Sequence, residues 1–364
     1  MHIISKASRK DNFYEFFIRV LNSHVGVSVL AIILSIVLLG ALAALYGASP
    51  IEVIFVLCEG ALSGKRAIVY TLLQMAPIVL CALAVYIPAR ARFFNVGGQG
   101  QLEIGGLAAM IVGTCLTGPP ALVIVLAMLA AVVGGMLTIS IPLLLKMKLG
   151  ASEITTTIMM NFICTYLIYA LITSGPLRDP GAFYAASRGV PGEYLLPHFP
   201  PNSGLNIGVY LVFVIAIIVA LFMKHTVAGI RLKASGMNMN AARAAGIQVN
   251  RLIVLSTLAG AACAGFAGGM VVLGVTERLA EGWALAWGTT GMAVAHLGGS
   301  PLGILPIAFI LAVVEIGARY MQAMTGVPSA LVSVMQGLPV VIYVCLLSLG
   351  HLLKMKKTDT KVGE

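Results

Sequence analysis

Ten long, mainly apolar stretches dominate the chain, at about 26–46, 68–89, 104–117, 120–144, 154–174, 206–223, 252–273, 285–298, 302–320 and 329–350. Roughly 20 apolar residues cross a bilayer as a helix, because lipid offers no partner to an unpaired backbone group. The pattern therefore predicts an all-α integral membrane protein, a polytopic helical bundle of about 10 transmembrane segments. The third and eighth stretches are short and interrupted by Gly, which marks them as candidate half-helices or re-entrant segments. The first run starts near Val25 and is long enough to span, so it reads as a crossing rather than a cleavable signal. Ten crossings put both ends on one side.

The polar residues between the stretches set the orientation. With the N-terminus inside, the inner segments collect Lys6, Arg9, Lys10 and Arg19, then Arg90 and Arg92, then Lys146 and Lys148. Lys224, Arg231, Lys233, Arg243 and Arg251 follow, and finally Lys354, Lys356, Lys357 and Lys361. Only Lys65, Arg66, Arg178, Arg188, Arg278 and Arg319 fall outside or near the outer edge. This asymmetry follows the positive-inside rule. The expected organisation is a cytoplasmic segment 1–25, a transmembrane domain 26–350 and a cytoplasmic tail 351–364. Two connections are long: an external Pro-rich loop at 175–205 and a cytoplasmic loop at 224–251. A Gly-rich break at 95–106 is echoed at 288–303, a loose internal repeat of the kind that points to a transport pathway.

Composition agrees. Of 364 residues, 59% are apolar and 10% charged, with a mean hydropathy of +1.00, against roughly 25% charged in soluble domains. The 40 glycines suit close helix packing in lipid, and Gly265 with Gly269 forms a GxxxG pair. A net charge of +10 raises the question of nucleic acid, but the basic residues sit in short clusters with no aromatic interleaving, which excludes that partner. The six Cys lie scattered, without metal-ligand spacing. There is no GxxxxGK[ST] nucleotide loop and no nucleophile–base set, so the chain is expected to be no enzyme and to take its energy from elsewhere.

The cytoplasmic stretch RLKASGMNMNAARAAGI, 231–247, is the most telling. Its Ala-rich part favours helix. Gly236 marks a boundary, Asn238 or Asn240 can cap the helix start, and Gly246 can end it. A connecting loop needs only a few residues; this one runs to nearly thirty and carries a small-residue helix suited to a groove on a partner. The run from Thr226 to Ile247 resembles the coupling helix of permease subunits in bacterial ABC importers for branched-chain amino acids, simple sugars and nucleosides. It has Met237 and Met239 where relatives often carry Glu and Pro. ARFFNVGGQGQLEIGG (91–106) resembles the same family's FNIG-x-EGQ signature, with Gln99 in place of Glu. GASEITTTIMMNFI (150–163) and GVPSALVSVMQGLPVV (326–341) resemble the nucleoside and simple-sugar branch.

The resemblance implies a permease that binds no cofactor itself, with ATP-Mg on a separate cytoplasmic ATP-binding subunit. It further implies a second permease subunit, identical or homologous, and an external solute-binding protein, all at a bacterial plasma membrane. Gly229, Arg231, Gly236, Asn238, Ala241, Ala242, Arg243 and Gly246 would form the coupling element. The expected solute is a nucleoside, or a simple sugar. Alternatives are a branched-chain amino acid permease and an ion-coupled secondary transporter; the latter would be expected to place more Asp, Glu or His in its spans.

Polar groups inside spans mark candidate pathway residues. Asn95, Gln99, Gln101 and Glu103 cluster at the first Gly-rich break, as cavity groups or as a helix-start turn. Glu153, Thr157 and Asn161 share a helical face, with Thr156 beside it, for a ligand or for interhelical hydrogen bonds. Trp283 and Trp287 flank the eighth stretch as an interfacial belt or a stacking gate, and His296 reads as a constriction or a satisfied core imidazole. Glu315 and Arg319 are spaced to pair on one helix.

Overall fold

The computed structural model describes residues 24–44 and 49–325, and beyond them 334, 337–339, 341–346 and 348–349. The expected tail 351–364, all but the last two residues of the segment 1–25, and part of the stretch 329–350 lie outside the described residues. So does most of the 326–341 motif.

Every regular element among the described residues is helical, with three isolated β-bridges and no strand. In chain order these are α1 (His24–Ala44), α2 (Pro50–Leu62), α3 (Gly64–Ala89), α4 (Gly98–Cys115), α5 (Pro120–Leu149) and α6 (Glu153–Thr173). They continue with α7 (Ile207–His225), α8 (Val227–Met237), α9 (Met239–Ala244), α10 (Val249–Val271), α11 (Trp287–Gly298) and α12 (Pro301–Thr325). A single π turn, Val272–Thr276, prolongs α10. Among the described residues six helices are long and apolar enough to cross a membrane: α3, α5, α6, α7, α10 with its π turn, and α12. The third apolar stretch became α4, of 18 residues, and the eighth became α11, of 12 residues. At ~1.5 Å per residue α11 rises about 18 Å, well short of a bilayer core of ~30 Å. α2 was not expected as a helix. It has 13 residues and carries Glu52 and Glu59, too short and too charged to read as a crossing, while Pro50 at its first turn starts it cleanly.

Local signals set several boundaries. α5 ends at Gly150, whose φ of 66° lets its N–H reach back to the last carbonyls of the helix. Two residues later Ser152 accepts from the Thr155 N–H and opens α6. The turn between two long helices is thereby reduced to three residues, which makes them antiparallel.

The chain divides into two compact units. The larger, 68–296 with 300–312, has α3 at its centre, buried from Gln74 to Pro88. Against one another α4, α5 and α10 pack through small residues. At Gly265 a Cβ would collide with the Ala131 carbonyl of α5, and at Gly269 with the Ala131 side chain, so the GxxxG pair is a close helix contact. α6 is the least covered of the six long helices. The loop 175–205 is not loose. Ser187, Val190 and Leu196 donate backbone N–H bonds of 2.8 Å to Leu279, Glu277 and Leu273, and Asn206 Nδ2 donates to the Gly274 carbonyl at 3.0 Å. The smaller unit, 1–67, 297–299 and 313–364, contains α1, α2 and the second half of α12. There the Ser28 hydroxyl donates to the Leu297 carbonyl at 2.6 Å, Gly317 lies against the backbone of Leu57, and Arg319 pairs with Glu315 at 2.7 Å.

Candidate functional site

The segment after α7 folds as two short helices. Thr226 caps α8 by accepting from the Gly229 N–H at 3.0 Å. The cap of α9 is Asn238, whose Oδ1 accepts from the N–H groups of Asn240 and Ala241 at 3.0 and 3.1 Å; Asn240 lies one step inside. α9 stops at Ala244, and Gly246 follows with φ 78°, a conformation that favours Gly. Gly236 lies in the last turn of α8, beside the boundary with α9, and it also makes a close contact. A Cβ there would meet the Arg90 carbonyl just past α3. Arg231, Asn238, Ala241 and Arg243 are exposed, whereas Gly229 and Ala242 are buried. The two helices thus present a mixed outer face, in which Arg231, Asn238 and Arg243 stand among exposed Val227, Ile230 and Met237, over a small-residue footing.

One residue in this assembly was not singled out in the sequence. Arg92 sits in left-handed backbone at φ 58° and turns the chain out of α3. Its Nε donates to the Gly236 carbonyl at 2.8 Å and its Nη2 to the Met237 carbonyl at 3.0 Å. The planar guanidinium closes the open C-terminal carbonyls of α8. The available signal was an Arg beside an Asn-capped Gly–Met end, which reads equally as an orientation charge.

From Arg92 the chain enters the Gly-rich break, and there the side chains of the predicted cluster meet. Asn95 and Gln101, both fully buried, exchange amide hydrogen bonds at 3.1 and 2.9 Å, and Asn95 Nδ2 also donates to the Ala84 carbonyl of α3 at 3.0 Å. Asn161 of α6 clamps the break from the other side. It donates to the Val96 carbonyl at 3.0 Å and accepts from the Gly100 N–H at 2.9 Å. The Val96 N–H reaches the Thr157 hydroxyl at 3.3 Å. Irregular backbone survives within a membrane only when such groups satisfy it. The hydroxyls of Thr156 and Thr157 bond back to the carbonyls of Ser152 and Glu153, and Glu153 pairs with Lys146 of α5 at 2.7 Å.

Gln99 joins the two Gly-rich stretches. Its Oε1 accepts from the Gly288 N–H at 2.9 Å, in the first turn of α11, and its Nε2 donates to the Ala284 carbonyl at 3.2 Å and to Glu103 at 3.0 Å. Glu103 Oε2 accepts from the Thr165 hydroxyl at 2.7 Å. Above this pair lies a cavity of about 280 Å³ between α4, α6 and the 280–284 loop, with Trp283 in its wall. Trp283 and Trp287 are both buried, so neither forms a lipid-facing belt. His296 stands apart from the cluster, exposed and stacked on Phe94 at 6.2 Å between ring centres. Among the described residues no His, Cys, Asp or Glu group has the grouping of a metal site.

An unbroken series of contacts therefore runs from the exposed helices α8 and α9, through Arg92 and the break, to Gln99, Glu103 and the cavity. The comparisons accord with a transport role. A family profile described as the permease component of a branched-chain amino acid transport system matches residues 67–344. A guanosine ABC transporter permease protein of Bacillus subtilis is 34% identical over 270 residues, 72% of this chain and 77% of its own. A nucleoside ABC transporter permease protein of Lactococcus lactis is 32% identical over 308 residues, 82% and 84% of the two chains. A glucose ABC transporter permease protein of Haloferax volcanii is 28% identical over 328 residues, 86% and 85% of the two chains. No solved structure gives a significant match. With the profile matched over most of its length, the chain belongs to the family of branched-chain amino acid transport system permease components.

Proposed function

We propose that this ABC importer permease subunit carries a nucleoside, with a simple sugar as the second choice, and works by alternating access. The observation that carries the reading is the exposed, doubly capped pair α8 and α9, fixed to the membrane domain by Arg92. On this reading a cytoplasmic ATP-binding subunit, which holds the ATP-Mg, grips the pair. Arg231, Gly236, Asn238 and Arg243 form the docking element. A groove of about 630 Å³ beside them, edged by Arg231, Gly246 and Arg251, receives part of the partner. Closure on ATP is passed through the break to the cavity.

The positive-inside asymmetry supports cytoplasmic ends in a bacterial plasma membrane. α4 and α11 act as the interrupted segments: both are short, and the first turn of α11 abuts Gln99 in the first turn of α4. With α1 and the apolar stretch 329–350, which hydropathy predicts to span, the six long helices and α4 give nine crossings, and α11 enters the membrane as a half-helix, the tenth segment. A binding protein delivers solute to the 175–205 loop, where Phe183 is fully exposed. A second permease, identical or homologous, completes the pathway along α6. The nucleoside assignment follows the two relatives named for guanosine and nucleosides.

Uptake of tritiated guanosine, adenosine, glucose and leucine by cells with and without the gene tests the reading. Loss of nucleoside uptake alone is expected. Unchanged nucleoside uptake with loss of leucine or glucose uptake refutes the substrate assignment.

A further inference from the structure

We propose that the cavity over Glu103 is the permease's own solute site, and that it accepts neutral, planar, donor-bearing molecules while rejecting their phosphorylated forms. This rests on the nucleoside reading above and adds to it a site and a charge rule.

The first argument is the unneutralised carboxylate. Glu103 is 5% exposed. Two other span carboxylates have cations at 2.7 Å, Glu153 with Lys146 and Glu315 with Arg319, whereas among the described residues Glu103 has none. A carboxylate kept within a membrane bundle without a cation is costly unless donors satisfy it. Gln99 and Thr165 each supply one donor, one to each oxygen. A carboxylate accepts about four, so capacity remains for ligand N–H or O–H groups on the cavity side.

The second argument is the wall. Trp283, Tyr166 and Tyr169 line the cavity, and Glu281 stands with Glu103 on its border, with no Lys, Arg or His in the lining. Aromatic side chains offer flat apolar surfaces to a planar ring. Two carboxylates without a cation repel phosphate. The volume, about 280 Å³, lies at the small end of the range of roughly 300–1,000 Å³ for small-molecule sites, so it suits one compact solute. Glu103 in its wall accepts from the same Gln99 that holds the first turn of α11, so occupancy and the geometry of the break are physically linked.

The test uses the full transporter in native membranes. Glu103→Gln removes the charge and keeps the shape; Tyr169→Ala strips an exposed wall residue at little structural cost. Both should lower nucleoside uptake, Glu103→Gln by about tenfold or more, the size of one lost charged hydrogen bond. Membrane abundance and retention of the ATP-binding subunit should be unchanged. In parallel, Tyr169→Cys is alkylated with N-ethylmaleimide and read at that position by mass spectrometry. Guanosine should slow the modification and guanosine monophosphate should not. Uptake by both variants within twofold of native, or equal protection by nucleoside and monophosphate, overturns the proposal. If gene loss leaves nucleoside uptake intact, the substrate reading falls by itself. The site is then judged by protection from glucose or leucine, and no protection by any neutral solute overturns it too.

Discussion

Arg92 shows most plainly how one side chain can join two parts of the molecule. Its guanidinium reaches two carbonyls that α8 cannot satisfy itself, and it does so from an exposed position, so the membrane core does not depend on it. Arg92→Ala should therefore insert normally. Charged hydrogen bonds contribute roughly 1.5–3 kcal/mol each when shielded and less at an exposed site. Uptake should fall and the ATP-binding subunit should be held less firmly, measured by transport rate and by co-purification. Arg92→Lys should restore only part of both, because an ammonium lacks the planar fork. Full activity in Arg92→Ala would remove the residue from the account. The residue scale was also where the sequence was least legible. Asn95, Gln101 and Asn161 were visible as misplaced polar groups, but their use, satisfying the backbone of the break, depends on three separate elements meeting. No local pattern encodes that.

At the scale of elements, caps and small residues were readable because they act over a few positions. Asn238 and Gly246 end up as the start and stop of α9, as their residue types suggest. Asn238→Ala should cost about 1 kcal/mol of local helix stability, seen as faster proteolysis between 238 and 246 with the rest of the chain intact, whereas Asn238→Asp should behave as native. Equal cleavage of all three proteins would mean the cap does not hold the element. In the core, Gly265→Leu should prevent α10 from reaching α5, because its side chain would enter the Ala131 backbone. Loss of monodisperse protein on size-exclusion chromatography in detergent is expected, and the smaller change Gly265→Ala should already lower thermal stability. The lengths of α4 and α11 and the presence of α2 were poorly legible, because hydropathy records apolar content and says little about where a helix bends or stops.

For the whole molecule, the family and the all-helical membrane fold were legible from apolar runs and from the order of four motifs, and the profile match over 67–344 accords with them. Membership among ABC permeases sets aside the ion-coupled alternative, whose energy would have to enter through the spans themselves. The cavity was not legible. Thr165 and Tyr166 lie far from Trp283 in sequence, and they meet it only because the 280–284 loop folds down onto α4 and α6. The central claim is that force enters through α8 and α9 from a separate ATPase. The most direct measurement is affinity purification of the tagged chain from its native membrane in mild detergent, beside a variant carrying Arg243→Glu and Gly236→Leu. An ATP-binding subunit recovered with the native chain and lost with the variant, at equal chain abundance, is the predicted result. Equal recovery with both, or none with either, would contradict it.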